Sequence, residues 1–574
     1  MTIHNPQIAD LFNRYAVLLE IKGANPFRIR AYRNAARTIE NLPRDVAAML
    51  QEGTDLTELP GIGDDLAHKL ADIVAKEKFA DLESIKRELP PAIADLTEVP
   101  GIGPKRLKIL FEKLKIKSLK QLAQTAQRGK LRGLPGFGPK MEANILKIAE
   151  RHAQAAKRFR LSDAEQIAEP LAQYLKAVPG AQHVTIAGSY RRRRETVGDL
   201  DILVTCEKGA RIVEKFTSYG EVKDVIAKGT TRAAVRLKSG MQVDLRVVPD
   251  KSYGAALVYF TGSKEHNIRL RTMGLKNKLK FNEYGVFRGS KTIAGRTEKE
   301  VYAQVGLPPI PPELREDKGE IEAAAKGKLP HLVALSDIKG DLHCHTEASD
   351  GEATLEQMAD AAQARGYRYL AITDHSKHIG ITHGLDAKRL AAQMRAIDKL
   401  NAKLRGFQIL KGIELDILPD GTLALPDPIL RELDIVVAAV HSAFNLPAKE
   451  QTERVIRAMD NTNVNIVAHP FGRLIAEREA MQLDIQRLMK AALERGCFLE
   501  VNGQPSRLDL SDNHCRMAKE IGLKLALSTD AHTPETLDYM RFGVDQARRG
   551  WLEPRDVLNT LELPSLRRLL KRNG

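Results

Sequence analysis

The stretch GDLHCHTEASDG, residues 340–351, places His343 and His345 on either side of one residue, and the carboxylate of Asp350 follows five positions later. Imidazole and carboxylate groups at this spacing are typical of a metal site. From residue 340 onward, short apolar strands alternate with amphipathic helices, which is the pattern of parallel βα units. The stretch therefore predicts the first strand of a parallel barrel, with metal ligands where that strand ends.

Further candidate ligands follow the later strands of the same region. A single histidine in such a position is more often a buried structural residue than a ligand. Here seven strands are predicted, and almost all of the nine candidates lie at strand ends. One strand, CFLEVN (497–502), has no histidine. The nine candidates together predict a metal cluster at the C-terminal edge of a barrel. The candidates are His343, His345, Asp350, His375, Glu414, His441, His469, Asp530 and His532.

Charge divides the chain of 574 residues into two parts. The first 330 residues contain 57 lysines and arginines against 40 acidic residues, whereas residues 331–574 contain 32 against 34. Ten of the 15 histidines lie after residue 330. We expect the basic part to bind phosphates, as nucleic-acid-binding proteins do, and the histidine-rich part to have another task.

Other function classes are disfavoured by composition. No apolar run approaches the roughly 18 residues that a membrane span needs, and the N-terminal residues lack the pattern of a signal peptide. The four cysteines are far apart and form no CxxC pair, which argues against a disulfide framework. The chain is therefore expected to be cytoplasmic, without a membrane partner, and to contain several domains.

A helix–turn–helix device occurs three times in the basic part, as LTELPGIGDDLAHKL (56–70), LTEVPGIGPKRLKIL (96–110) and LRGLPGFGPKMEANIL (131–146). Its glycines allow a sharp turn that leaves backbone amides pointing outward at the start of the next helix, where they can bind a phosphate. A plain tight turn explains any single copy about as well. Three copies in a basic segment predict helix-hairpin-helix contacts with the DNA backbone at Gly61, Gly63, Gly101, Gly103, Gly136 and Gly138.

The stretch GSYRRRRETVGDLDILV (188–204) places Asp199 and Asp201 two residues apart on a predicted strand, so that both carboxylates lie on one face. VDLRVV supplies Asp244 on another strand. Three neighbouring carboxylates need divalent cations, and oxygen ligands suit Mg²⁺ or Mn²⁺. Two such ions can activate a 3′-hydroxyl and stabilise a leaving pyrophosphate. The Asp pair alone could equally be solvated at a strand edge.

These residues do not stand alone. The Gly188–Ser189 pair is followed by the basic run Arg191–Arg194, which would supply backbone amides and charge for a triphosphate. With YFTGSKEHNIRLR (259–271) and FNEYGVFR (281–288), they complete a pattern that resembles the family X DNA polymerases over about residues 1–315. The resemblance implies N-terminal all-α helix-hairpin-helix domains, an α+β nucleotidyltransferase palm and a thumb. It implies that Asp199, Asp201 and Asp244 bind the metals and that Asp244 also accepts the proton of the primer hydroxyl. It implies that the triphosphate is bound by Gly188, Ser189, Arg192 and Gly198. The sugar would be contacted by Tyr259, Phe260 and Gly262, the incoming base by Asn267 and the template by Arg271.

The resemblance also places Lys69 at the position of a Schiff-base lyase nucleophile. Asp65 replaces a nearby lysine of the family, and Arg28 replaces another, which binds phosphate. An acidic neighbour should keep Lys69 protonated and therefore a poor nucleophile. An ordinary exposed helix lysine is the alternative, and lyase activity stays open.

The nine-residue cluster resembles the polymerase and histidinol phosphatase (PHP) domain over residues 339–574. The resemblance implies a distorted (β/α)₇ barrel with up to three ions. Glu414 would bridge two of them, with His343, His345 and Asp530 on one and His441 and His469 on the other, while Asp350, His375 and His532 would hold the third. Mixed imidazole and carboxylate ligands suit Mn²⁺, Zn²⁺ or Fe²⁺, ions that activate water for attack on a phosphoester.

The sequence thus predicts a family X polymerase that fills short gaps in DNA repair and carries a PHP phosphoesterase. Its expected partners are dNTPs and gapped or nicked double-stranded DNA, and we expect a monomer. The residues do not distinguish 3′–5′ exonuclease, abasic-site endonuclease and 3′-end phosphatase activities. Two alternatives are a polymerase fused to a small-molecule PHP phosphatase and a non-catalytic DNA-end-binding scaffold. The complete ligand sets argue against the scaffold.

The predicted domains follow the changes in pattern along the chain. The proline-rich and charged stretch 306–330 has no sustained apolar period and predicts a linker between separately folding units. The domains are a helical lyase-like DNA-binding domain (1–85), helical fingers (86–155), the palm (156–260), the thumb (261–315), the linker (316–338) and the PHP domain (339–574).

Overall fold

The computed structural model describes residues 5–21, 24–40, 42, 46–76, 79–86, single residues and short stretches between 110 and 134, 158–377, 382–475 and 477–571. The chain divides into two compact units, residues 1–158 and 159–574. No helix in the described ranges combines the length and the apolar composition that crossing a membrane requires.

The described helices of the first unit are α1 (Asn5–Ile21), α2 (Pro26–Glu40), α3 (Val46–Gln51), α4 (Asp64–Lys76) and α5 (Ala80–Lys86). An aromatic cluster joins α1, α2 and the residue before α5, because Phe12 and Tyr15 contact Tyr32 and Phe79 at ring-centroid distances of 4.8–5.4 Å. The turn before α4 contains Gly61 with a φ of 77°, a left-handed conformation that favours glycine. Of the six predicted hairpin glycines, Gly61 and Gly63 are described and exposed, and Gly101, Gly103, Gly136 and Gly138 lie outside the described residues.

The second unit begins with the predicted palm. Its strands are β1 (Phe159–Arg160), β2 (Val184–Ile186), β3 (Thr196–Val197), β4 (Asp199–Thr205), β5 (Val222–Lys228), β6 (Arg232–Leu237) and β7 (Gln242–Val248), and its helices are α6 (Leu161–Lys176), α7 (Gly188–Arg191) and α8 (Gly209–Thr217). A five-stranded sheet has the order β2-β4-β7-β6-β5, in which only β4 and β7 pair in parallel. Leu200, Ile202 and Val204 pack with α6 and α8, so strand alternation places Asp199 and Asp201 on the other face.

The predicted thumb and the segment after it follow the palm. Their elements are α9 (Tyr253–Thr261), α10 (Lys264–Lys276), β8 (Lys280–Asn282), β9 (Gly285–Arg288), β10 (Lys291–Ala294), α11 (Glu298–Ala303) and α12 (Glu320–Ala325). Strands β8, β9 and β10 form an antiparallel sheet. Residues 316–338, for which the sequence predicts a linker, are folded: the carboxylate of Glu320 lies 2.5 Å from His266 Nδ1, and Ile321 and Leu332 are buried in an apolar cluster with Tyr302.

The remainder of the chain is the predicted barrel. Its strands are β11 (Gly340–Cys344), β12 (Tyr369–Ile372), β13 (Gln408–Asp416), β14 (Ile435–Ala439), β15 (Ile466–Val467), β16 (Phe498–Asn502) and β17 (Leu525–Ser528). Neighbouring strands pair in parallel in chain order. The ends of the sheet also approach each other, since the backbone N–H of Asp530 donates to the carbonyl of His343 at 3.0 Å and that of His345 donates to Ala531 at 2.8 Å. The sheet is therefore a nearly closed barrel.

Helices follow most of the strands and cover the outside of the barrel. They are α13 (Leu355–Ala364), α14 (Ala387–Asn401), α15 (Asp427–Leu430), α16 (Ala448–Met459), α17 (Ile485–Arg495), α18 (Asp512–Ile521), α19 (Met540–Arg549) and α20 (Leu563–Leu570). Both faces of the sheet are apolar, as strand β14 shows. Its residues Ile435, Val437 and Ala439 belong to one buried cluster, and Val436 and Ala438 belong to another. Because both faces are covered, the polar residues of the barrel concentrate at the strand ends.

The palm and the barrel share a packed interface. Leu508 and Phe542 of the barrel are buried in the apolar cluster of the palm, and Trp551 is buried in that of the thumb. Ion pairs join the same surfaces, namely Arg193–Asp545 at 2.7 Å, Arg473–Glu195 at 2.6 Å and Arg541–Glu165 at 2.5 Å. The two parts therefore meet through a shared core and ion pairs, and not only through the connecting segment.

Because Phe542 is 1% exposed within the palm cluster, we expect Phe542→Ala to destabilise the second unit by about 3–5 kcal/mol. The measurement is thermal and denaturant-induced unfolding of the full chain. Leu493→Ala is the matched control, since Leu493 of the barrel is 46% exposed and should change stability little. Equal melting temperatures for Phe542→Ala and the wild type would show that the interface contributes no stability.

Candidate active sites

The palm sheet brings the three predicted carboxylates onto two adjacent strands. Asp201 of β4 is the parallel neighbour of Asp244 on β7, and Asp199 precedes Asp201 by two residues on the same face. Burial, together with the Asp199 and Asp244 carboxylates, raises the pKa of Asp201 to about 7. Like charges at a partly buried position produce such a shift, and a bound cation would relieve it.

The palm carboxylates are less tightly grouped than the residues of the barrel. Among the described residues, every group of three or more His, Cys, Asp or Glu side chains with ligand atoms within 4.8 Å of one another lies in the barrel. Asp244 accepts a hydrogen bond from Gln242 Nε2 at 2.9 Å, which holds its carboxylate in place. A divalent cation bound between these carboxylates would offset their mutual repulsion.

The first residue of the predicted triphosphate segment lies directly against this site. Gly188 has a φ of 60°, and a Cβ atom at this position would lie 2.3 Å from Asp201 Oδ2. Glycine is therefore required here, both for the backbone conformation and for the close approach. Ser189 follows in α7, and Gly198 is exposed immediately before β4.

The residues predicted to contact the sugar, base and template lie together at the C-terminal end of α9. The rings of Tyr259 and Phe260 meet edge to face at 5.0 Å, and the Arg271 guanidinium lies 5.5 Å from the Tyr259 ring. Asn267 Nδ2 donates to the carbonyls of Tyr259 and Gly262 at 2.7 and 3.1 Å. These hydrogen bonds fix the orientation of the Asn267 amide.

The arginines from 191 to 193 have partners within the protein. Sequence reasoning assigned the whole basic run to a triphosphate, but ion pairs neutralise much of its charge. The partners are Glu298 for Arg191, Glu316 and the Thr261 carbonyl for Arg192, and Glu165 and Asp545 for Arg193. A guanidinium has five N–H donors, so the two hydrogen bonds of Arg192 leave donors for a phosphate group.

The barrel places the nine predicted ligands at its C-terminal edge, where they form overlapping groups. Three groups have ligand atoms within 4.8 Å of one another: His345, Asp350, His375 and His532; His343, His345 and Asp530; and His375, Glu414 and His441. The remaining residue, His469, joins the third group because its Nε2 lies 3.0 Å from Glu414 Oε1. These groups overlap with the ligand sets that the resemblance implies but are not identical to them, because His345 also lies with Asp350, His375 and His532, and His375 also lies with Glu414 and His441.

The chemistry of this cluster fits bound cations. His343 Nε2 and both ring nitrogens of His345 are buried and form no hydrogen bond with any described residue. Buried polar atoms without partners are costly, and metal coordination would satisfy them. Burial, together with the His532 and His375 rings, lowers the pKa of His345 to about 4. Its ring is therefore neutral at pH 7, which is the form that binds metals.

Two buried acids that sequence reasoning missed orient the histidines. Glu500 Oε1 lies 2.8 Å from His343 Nδ1, and its other oxygen accepts the backbone N–H of His469 at 2.7 Å. Asp416 Oδ1 lies 3.0 Å from His441 Nδ1. Carboxylates in this position hold the ring and its tautomer. The sequence contained a signal for both acids, because each lies within an apolar strand at a position where strand alternation turns the side chain inward.

Lys69 is held as an ammonium ion within the first unit. Its Nζ donates to Tyr32 at 2.7 Å and to Asp65 at 2.9 Å, and it lies 3.3 Å from Asp81. Although burial lowers the pKa of Lys69, these partners raise it well above the ordinary value. Arg28 donates to the Tyr15 hydroxyl at 3.1 Å. The surroundings of Lys69 therefore oppose a nucleophilic role.

Family comparisons match the parts of the fold in chain order. The matching families are described as a helix-hairpin-helix domain (3–79), a SAM-like helix-hairpin-helix tandem (93–151), the DNA polymerase beta palm (159–253), the DNA polymerase beta thumb (256–316) and the PHP domain (341–504). The DNA polymerase/3′-5′ exonuclease PolX of Bacillus subtilis is 39% identical over 575 residues, which cover all of both chains. The chain belongs to the family X DNA polymerases.

This family X polymerase also has relatives that match about a third of the chain. Probable phosphatases of Thermoanaerobacter sp. and of Caldanaerobacter subterraneus are 34% and 33% identical over 35% and 36% of this chain, and over 81% and 79% of their own lengths. The polymerase and PHP families depend on metals, and the barrel ligands described above form candidate sites for them. The helix-hairpin-helix and thumb domains imply that the chain binds DNA.

If the barrel cluster holds ions, Glu414→Gln should weaken Mn²⁺ binding roughly tenfold or more, because Glu414 contacts several of the ligand histidines. The measurement is equilibrium dialysis against Mn²⁺ followed by metal analysis. Glu347→Gln is the matched control, since Glu347 is exposed in the loop after His345. An unchanged Mn²⁺ affinity in Glu414→Gln would contradict the assignment.

Because its partners raise the pKa of Lys69, this residue should be almost entirely protonated near pH 7.5. We expect borohydride trapping on a 5′-deoxyribose phosphate end to give no more adduct with the wild type than with Lys69→Ala. The measurement is the yield of covalent protein–DNA product at equal protein concentration. A strong adduct that Lys69→Ala abolishes would show instead that this lysine is a lyase nucleophile.

Proposed function

We propose that this family X polymerase fills short gaps in double-stranded DNA during repair, and that its PHP barrel hydrolyses the 3′ end of the same DNA. The supporting observation is that one chain contains both the paired palm carboxylates and the nine-residue cluster of the barrel. The relative that spans its full length is named for polymerase and 3′-5′ exonuclease activities. Intact residues at both sites argue against a non-catalytic scaffold.

In the palm, Asp199, Asp201 and Asp244 would hold Mg²⁺ or Mn²⁺, which neutralise the phosphates and lower the pKa of the primer 3′-hydroxyl. Asp244 would accept the proton of that hydroxyl. Ser189, with the backbone of Gly188 and Gly198 and the remaining donors of Arg192, would bind the triphosphate. The rings of Tyr259 and Phe260 would pack against the sugar, Asn267 would contact the incoming base, and Arg271 would contact the template.

In the barrel, the nine candidate ligands would hold up to three ions of Mn²⁺, Zn²⁺ or Fe²⁺, which activate water for attack on a phosphoester. Glu500 and Asp416 would keep the rings of His343 and His441 oriented toward those ions. The barrel part of the sequence has 32 basic against 34 acidic residues, so it is poorly suited to holding DNA alone. The basic first 330 residues would deliver the substrate.

A second candidate is that the barrel acts on small phosphomonoesters. The observation that favours it is the similarity of about a third of the chain to proteins named as probable phosphatases. The ratio of p-nitrophenyl phosphate hydrolysis to 3′-end digestion of gapped DNA separates the two candidates. A barrel that acts on DNA should depend on the helical unit for substrate binding, and its activity should fall steeply as the salt concentration increases. Hydrolysis of the small ester that is faster and insensitive to salt would favour the phosphatase.

The two proposed sites should be separable by mutation. We expect Asp244→Ala to lower nucleotide incorporation at least about 100-fold while sparing 3′-end digestion, and His441→Ala to do the reverse, because each change removes a ligand from one site only. The assay follows a labelled primer on gapped DNA, with dNTPs to measure extension and without them to measure digestion.

Matched controls exist for both substitutions. Asp224→Ala removes an exposed carboxylate from edge strand β5, and His331→Ala removes an exposed imidazole before the barrel; both variants should behave as the wild type. If His441→Ala digests the 3′ end at the wild-type rate, the barrel cluster is not the nuclease.

A further inference from the structure

The barrel contributes a buried arginine to the segment that we propose binds the triphosphate. Arg549, the last residue of α19, is 6% exposed. Its Nη1 donates to the main-chain carbonyl of Arg192 at 2.7 Å and to Glu316 Oε1 at 3.1 Å, and its Nη2 donates to Asp512 at 2.7 Å. One side chain of the barrel therefore contacts both the backbone of Arg192 and the acid that pairs with it.

Glu316 connects the two arginines. The same Oε1 atom accepts a hydrogen bond from Arg192 Nε at 3.0 Å. Although burial raises the pKa of Glu316, Arg549 and Arg192 lower it to about 2, so this carboxylate stays ionised throughout the physiological range. The result is a buried chain of guanidinium, carboxylate and guanidinium groups that runs from the barrel to the palm. Charge-assisted hydrogen bonds of this kind are strong and directional.

The next residue of the palm segment is held by the same helix. Arg193 has a φ of 55°, a left-handed conformation that is unfavourable for a residue with a Cβ atom. Its side chain pairs with Asp545 of α19 at 2.7 Å and with Glu165 of α6 at 2.8 Å. Two residues of α19, Asp545 and Arg549, therefore hold consecutive residues of the turn that follows α7.

We propose that Arg549 is a positioning residue for nucleotide incorporation, and that the PHP barrel thereby completes the triphosphate-binding site of the palm. The inference rests on the proposed role of Arg192 in binding the triphosphate. Arg549 fixes the Arg192 backbone directly and fixes its guanidinium through Glu316. Loss of Arg549 removes the hydrogen bond to the Arg192 backbone and one of the two arginines that hold Glu316, so that the Arg192 guanidinium is no longer fixed in position for the nucleotide.

The experiment measures single-nucleotide gap filling by the full chain, with kcat and KM for the dNTP determined separately. We expect Arg549→Ala to raise KM for the dNTP about tenfold and to change kcat less than threefold, because the palm carboxylates are not altered. Arg549→Lys keeps the charge but loses the paired geometry of the guanidinium, so it should restore KM part of the way.

Arg548→Ala is the matched control. Arg548 is the preceding residue of α19 and belongs to the same interface, but its hydrogen bonds go to Glu313 and to the carbonyl of Val333. We expect its KM for the dNTP to equal that of the wild type. Thermal unfolding and 3′-end digestion on each preparation report whether the barrel is folded.

If Arg549→Ala does not fold, Glu316→Gln gives the same test, because it weakens the pairing with both arginines at constant volume and should also raise KM. A KM within twofold of the wild type in a folded Arg549→Ala variant, or in a folded Glu316→Gln variant, would overturn the positioning role. An equal rise in Arg548→Ala would also overturn it, since it would show an unspecific effect of the interface. A wild type that incorporates no nucleotide would instead overturn the proposed function, and the inference with it.

Discussion

The buried carboxylate of Glu414 imposes the strongest constraint on the barrel. It is 1% exposed, and an ionised group at such a position costs several kcal/mol unless other groups compensate for its desolvation. Five imidazoles surround it, with ring nitrogens at 2.8 Å for His375, 3.0 Å for His469, 3.1 Å for His441, 3.5 Å for His343 and 3.6 Å for His345. Parallel strands that end at one edge bring these residues from distant parts of the chain to one carboxylate. The backbone is strained at two of the candidate ligands, since His469 and Asp530 have positive φ values of 26° and 55°.

The sequence patterns identified the candidate residues of both sites better than they identified the contacts that these residues make. The candidate ligands of the barrel could be found because nearly all of them lie at or just after the end of a short apolar strand, and strand alternation placed Asp199 and Asp201 on one face. The pairing of Asp201 with Asp244 required the register of β4 and β7, which neither strand encodes alone. The run Arg191–Arg194 was assigned to a ligand, whereas most of it pairs within the protein. A charged run does not reveal its partners when these lie up to about 350 residues away, as Asp545 does from Arg193.

The interface between palm and barrel was the feature least visible in the sequence. Proline and charge between residues 306 and 330 favoured a flexible connection, but buried residues of the folded chain, such as Glu320 and Leu332, lie in and beside this stretch. The contacts continue toward the barrel site. Glu195 of the palm pairs with Arg473, which donates to the carbonyl of Arg507, and the Arg507 side chain lies 3.5 Å from Asp530. A short segment of the palm, residues 188–195, thus borders the palm site and is connected to the barrel site through Arg473 and Arg507, although the reactions proposed for the two sites are chemically independent.

The apolar part of this interface has a consequence for how the chain folds during synthesis. The cluster of the palm includes Leu508 and Phe542, which the ribosome adds some 300 residues after the palm strands have been made. At about 5–20 residues per second in a cell, the palm is exposed to solvent for many seconds with part of its core uncovered. Domains generally fold as units during synthesis, so the newly made palm would present an apolar surface until the barrel arrives to cover it. Synthesis of this polymerase therefore passes through a stage at which a chaperone has a defined site to bind.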